Sequence, residues 1–184
     1  MKHLLGPLFS LATVCGLLSA NAANLSAGFV DFGKFAPPTS GGEFVEVQIN
    51  GNLISMAARL AEKSEPQVAE LLRGLHLIRV NVIGLNDENR AEMEKRVKAI
   101  RSELDTQKWE RLVTAQNDKE DVGVYLKTRG EEAVEGLVVT VIEDNKQAVF
   151  VNIVGDIKPE KVATLGERFN IKPLQEIGQS LEKK

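Results

Sequence analysis

From Glu43 to Val154 the apolar positions change period several times, and each change marks an element. In Phe44 to Ile49, Val45, Val47 and Ile49 alternate with Glu46 and Gln48, the period of a half-buried strand. After Asn50-Gly51, the residues Leu53, Met56, Ala57 and Leu60 recur at helical spacing and predict a helix that buries this face. Ser64-Glu65-Pro66-Gln67 reads as a capping box with proline in the first turn. It opens a second helix through Val68, Leu71, Leu72 and Leu75. Leu77 to Ile83 returns to alternation, with Ile78, Val80 and Val82 inward and Arg79 and Asn81 outward.

Residues Asp87 to about Thr106 predict the longest helix, striped by Met93, Val97, Ile100 and Leu104. Its remaining charges are spaced as a solvated face with i, i+4 support. Four strands follow: Trp109–Ala115, Val122–Lys127, Val134–Ile142 and Ala148–Val154. The turn chemistry of Asn117-Asp118, Gly130 and Asp144-Asn145 separates them, and short turns make neighbours antiparallel. Pro159 begins a helix with Val162, Leu165 and Phe169, and a last one surrounds Leu174, Ile177 and Leu181. The order predicts a single α+β domain over 43–184, with a mixed, mostly antiparallel sheet of about six strands and helices mainly on one face. The first two strands, joined through helices, are expected as parallel neighbours. The other face is expected to be open, presenting Glu46, Gln48, Arg79, Asn81, Tyr125 and Lys127.

The N-terminus adds an address. Met1-Lys2-His3 precedes an uncharged apolar run from Leu4 to Leu18, and Ser19-Ala20-Asn21-Ala22 ends small-x-small. This is the pattern of a cleaved secretory signal over 1–22, too short for a comfortable membrane span. The expected location is periplasmic or secreted. A bulky Val14 before Cys15 argues against a lipoprotein, and cleavage would remove this only cysteine. Residues 23–42 form a leader in which Phe29, Phe32 and Phe35 recur ahead of Pro37-Pro38 and Gly41-Gly42. The aromatics either pin the leader to the domain, the favoured reading, or act as a docking motif on a tail.

Charge and chemistry narrow the function by subtraction. Removing 1–22 takes one of 23 basic residues and none of 26 acidic ones, giving 22 − 26 = −4. Such a chain has no electrostatic footprint for nucleic acid or for an anionic membrane. One histidine, His76, remains, so a zinc or copper site is not expected. No nucleophile elbow, phosphate loop or dinucleotide fingerprint occurs. No cofactor and no catalytic group is therefore expected. Asn152, a polar break in the strand Phe150–Val154, and Gly155-Asp156 beyond it are read as structural first. There Gly155 would take an unusual backbone angle and Asp156 would cap the following helix. The alternative is that Asn152 and Asp156 converge on a ligand.

The same segment, Val151-Asn152-Ile153-Val154-Gly155-Asp156-Ile157, after an early strand and helix, a further helix and a strand meander, resembles domain-of-unknown-function family 4252. The resemblance covers roughly Glu43 to Phe169. It implies a bacterial exported single-domain protein and brings no catalytic residues. The expected function is a non-enzymatic interaction module whose partner is another envelope protein, met through the polar sheet face, a sheet edge or the Phe29–Phe35 segment. The alternative is a small-molecule or carbohydrate binder, or a weak hydrolase, using Asn152 and Asp156.

Overall fold

The computed structural model describes residues 27–144, 146–158, 161, 162 and 164. The expected signal segment 1–22, Cys15, Asn145, Pro159, and the helical residues Leu165, Phe169, Leu174, Ile177 and Leu181 lie outside them.

Six strands form one open antiparallel sheet: β1 (Phe44–Asn50), β2 (Leu75–Gly84), β3 (Glu110–Gln116), β4 (Glu120–Arg129), β5 (Ala133–Glu143) and β6 (Gln147–Ile157). The spatial order is β1-β2-β6-β5-β4-β3. Among the described residues three helices accompany it: α1 (Gly51–Ala61), α2 (Pro66–Arg73) and α3 (Arg90–Thr106). The α+β class and the largely antiparallel sheet follow the pattern read from the sequence.

One expectation about topology is corrected. β1 and β2 are antiparallel, with Phe44 opposite Ile83 and Asn50 opposite Leu77. A single crossover helix would carry the chain to the far end of the sheet, but α1 and α2 pack as a hairpin and return it to the end it left. The α2 start also differs. Its N-cap residue is Glu65, without a side-chain cap bond, and Pro66 sits at the first position. The Glu65 N–H is already donated to the Ala61 carbonyl, so the turn leaving α1 displaces the expected Ser64 cap.

Alternation along the central strands splits the core in two. Leu137, Val139, Val151, Ile153, Val122, Val124 and Ile78 line one face, with Ile54 of α1 and Leu71 of α2 packed there. Val138, Ile142, Ala148, Phe150 and Tyr125 line the other, under Met93, Val97, Ile100 and Leu104 of α3. Val30 and Phe32 of the leader complete that second layer. Two helices thus serve one face, and one helix plus an extended strap serve the other. The expectation of an open second face is corrected: Tyr125 and Asn81 are each 1% exposed and Arg79 9%. β5 and β6 are buried on both sides, which is why they read as near-continuous apolar runs.

α3 ends in a Schellman motif. The Trp109 N–H donates to the Leu104 carbonyl and the Lys108 N–H to that of Asp105. Lys108 takes φ 60°, the left-handed conformation that glycine adopts without a Cβ penalty. Leu104 and Trp109, the apolar pair of this motif, are both buried. Lys108→Gly is therefore expected to raise stability by ~1 kcal/mol, read as a higher denaturation midpoint at unchanged m-value.

Candidate interaction surface

The sequence singled out Asn152, and the structure explains it as a clasp. Asn152 is fully buried on the strap side of β6. Its Oδ1 accepts the Val30 N–H at 3.0 Å, and its Nδ2 donates to the Gly28 carbonyl at 3.0 Å and the Leu137 carbonyl at 3.2 Å. The side-chain amide imitates a strand neighbour for the leader, satisfying two backbone groups that burial would otherwise orphan. Gly28 can lie this low because Gly136 faces it: a Cβ on Gly136 would sit 2.5 Å from both Gly28 Cα and Trp109 Cη2.

Arg79 serves the same strap. Its guanidinium lies 5.7 Å from the ring centres of both Phe29 and Phe32. It also donates to the Val30 carbonyl at 3.5 Å and lies 3.8 Å from the Asp31 carboxylate. Phe32 and Phe35 stack against Phe150 at 5.7 and 4.8 Å. Arg96 of α3 covers Phe35 and donates to the Lys34 carbonyl at 2.8 Å. The aromatic triplet therefore pins the leader, as the favoured reading held.

The other candidate residues do not converge. Tyr125 lies under α3, with the Arg111 guanidinium 5.4 Å from its ring centre. Lys127 is directed to the Gln107 carbonyl at 2.6 Å. Gly155 has no unusual φ; it is small because the Gly74 carbonyl passes directly against it. Asp156 donates its backbone N–H to that carbonyl, while its carboxylate accepts from Arg129 at 2.6 Å. A hollow of about 220 Å³ does exist at this end of β6, lined by Glu70, Arg73, Asp156, Lys158 and Lys161 among others. Its charges are mutually engaged: a hydrogen bond from Lys158, with the fields of Lys158 and Lys161, holds the Glu70 carboxyl below its ordinary range. Asn152 takes no part in it. Among the described residues no group of three or more His, Cys, Asp or Glu side chains is placed to hold a metal ion.

What the sequence missed is the opposite kind of surface. The face of α1 expected inside, Leu53, Met56, Ala57 and Leu60, points to solvent, and Ile54 and Ala58 are buried instead. Leu53 is 56% exposed, Met56 59% and Leu60 78%. Val45 and Val47 of β1, at 36% each, extend the exposed apolar set directly upstream. Of the six exposed large hydrophobic residues among the described residues, five fall within residues 45–60. The misreading has a cause: α1 carries two apolar stripes, and the one built from larger side chains has no partner within the described fold. Clusters of this kind mark interaction sites on soluble proteins.

Asn81 is 1% exposed and neither side-chain atom has a hydrogen-bond partner. Asn81→Leu removes an unsatisfied amide and is expected to leave stability equal or higher, whereas Asn152→Leu orphans Gly28 and Val30 and costs ~2 to 4 kcal/mol; paired chemical denaturation curves check the contrast. Burial raises the Tyr125 phenol above its ordinary 10.0, against the opposing field of Arg111. Because the folded value is the higher one, its contribution is complete below pH 10 and falls as pH rises beyond it. Tyr125→Phe should flatten that alkaline loss in pH-dependent melting.

A family model described as "Domain of unknown function (DUF4252)" matches residues 40–165. No curated protein and no solved structure matches the chain.

Proposed function

The chain belongs to the DUF4252 family, and we propose that it works as a non-enzymatic protein-interaction module, exported to the bacterial envelope, that holds another envelope protein. The apolar stripe of α1 is the observation that carries this reading. Leu53, Met56 and Leu60 follow i, i+3 and i+7 spacing, the spacing at which one helix offers knobs to another. A partner's amphipathic helix is the complementary shape. The stripe belongs to a helical hairpin whose other side is fixed to the sheet through Ile54 and Leu71, so it is presented on a rigid base. Export rests on the N-terminal pattern of residues 1–22, the apolar run with its small-x-small end.

The polar sheet face and the Phe29–Phe35 segment no longer support a docking role, since each occupies the other. The ligand-binding alternative keeps only the hollow beside Asp156, without Asn152.

Exchanging Leu53, Met56 and Leu60 for serine removes apolar groups that contribute little to the folded core. The melting temperature should stay within a few degrees while crosslinked recovery of the partner from an envelope extract falls at least about tenfold, a loss of 1.4 kcal/mol or more. Undiminished recovery from a folded triple variant would remove α1 as the binding element.

A further inference from the structure

The two edges of the sheet differ. β3 is broken by a register shift between Arg111 and Val113, and Arg111 is tied to Asp105 at 2.9 Å. Bulges and charges of this kind blunt a strand edge against pairing. β1 has no bulge: its register against β2 is unbroken from Phe44 to Asn50, and its sequence FVEVQIN carries a single charge, Glu46, and lacks proline, glycine and lysine.

The phase of the β1 ladder fixes what that edge can accept. The Gly84 N–H donates to the Glu43 carbonyl at 2.7 Å, so Glu43 turns its backbone groups toward β2. By strand alternation Val45, Val47 and Ile49 do the same, and Phe44, Glu46, Gln48 and Asn50 turn theirs outward. We propose that a second copy of this chain pairs with this edge, antiparallel, about a two-fold axis at Val47.

That register follows from the residues. It sets outward groups against outward groups, Phe44 with Asn50 and Glu46 with Gln48, so each pair exchanges two backbone hydrogen bonds. Val47 meets its own copy in the closer, non-hydrogen-bonded position, and Val45 meets Ile49. An axis at Glu46 would oppose two like charges, which destabilises a cross-strand pair. An axis at Gln48 would leave Phe44 and Val45 without strand partners. In the Val47 register the exposed valines of the two copies form one row, continuous with half-buried Val80 and Val82 of each β2. The interface is isologous, and it closes at two copies.

This pairing uses β1 and is independent of the α1 stripe. Sedimentation velocity over a concentration series of the purified protein should show a monomer–dimer equilibrium. Val47→Arg places two cations on the axis, and Gln48→Pro deletes an outward N–H that β2 does not use. Each is expected to weaken dimerisation at least tenfold with an unchanged circular dichroism spectrum, while the serine triple variant of α1 dimerises normally. The wild-type amides of Glu46 and Gln48 should gain hydrogen-exchange protection as concentration rises, a readout that needs no variant. A chain that stays monomeric throughout, with those amides unprotected, overturns the proposal and leaves the edge to an unlike strand. A dimer indifferent to both β1 variants, again without protection at Glu46 and Gln48, overturns it in favour of another surface.

Discussion

An open sheet has two faces to bury, and here the burial of one depends on a single side-chain amide. The helical hairpin α1–α2 packs on one face and α3 on the other, but Arg79, Asn81 and Asn152 lie on the α3 side as a polar row. Asn152 turns that row into an attachment site by offering the leader the bonds a neighbouring strand would offer. Phe32, Phe35 and Val30 then supply the apolar cover. Without the clasp, Gly28 and Val30 would lose their partners inside the core and the face would be polar and wet. Asn81 bears the cost of this arrangement, since it is sealed beneath the strap with nothing to bond.

Closing that face concentrates the protein's exposed apolar surface elsewhere. The strap and α3 consume the leader's aromatics and the long helix's stripe, while Arg96 and Arg101 of α3 bind their own chain. Arg101 donates to Asp121 at 2.8 Å and to Thr140 at 3.1 Å, over the space that Gly123 leaves open. Apart from Leu112 of β3, the large apolar side chains that the described fold presents to solvent lie in the β1–α1 segment. A helix face and a strand edge meet there in one short stretch of chain.

Much of this was legible in the sequence, for a definite reason. Alternation in residues 44–49 and 77–83 marks two strands that the structure contains, and the 3.6-residue stripe of Met93, Val97, Ile100 and Leu104 is a direct image of burial. Which side of those strands is inside does not follow, since Val45 and Val47 are exposed and Arg79 and Asn81 are buried. The polarity of Arg79 and Asn81 was also seen, but polarity alone does not reveal a cover supplied by residues some fifty positions away. The Phe29, Phe32 and Phe35 repeat held that information, and its extended three-residue spacing matches neither a helix nor a strand. α1 failed differently. Both of its stripes satisfy helical periodicity, and the larger residues were assigned to the core although Ile54 and Ala58 fill the space that exists. Asn152 stands out as unusual, yet its strap partners Gly28 and Val30 lie over a hundred residues upstream. A polar residue inside an apolar strand was the available signal for a backbone clasp.

Residues 27–36 are part of the fold and close the second sheet face, which leaves β1–α1 as the main exposed apolar surface of the described residues. Native-state hydrogen exchange at the Val30 amide tests it most directly, because that proton is donated to Asn152 Oδ1. The account predicts protection of Val30 close to that of the central amides of β5 and β6, set by global unfolding. Exchange at the rate of an unstructured peptide would mean that the strap is open in solution. The polar row of Arg79, Asn81 and Asn152 would then be the exposed face, and this account of the fold would be wrong.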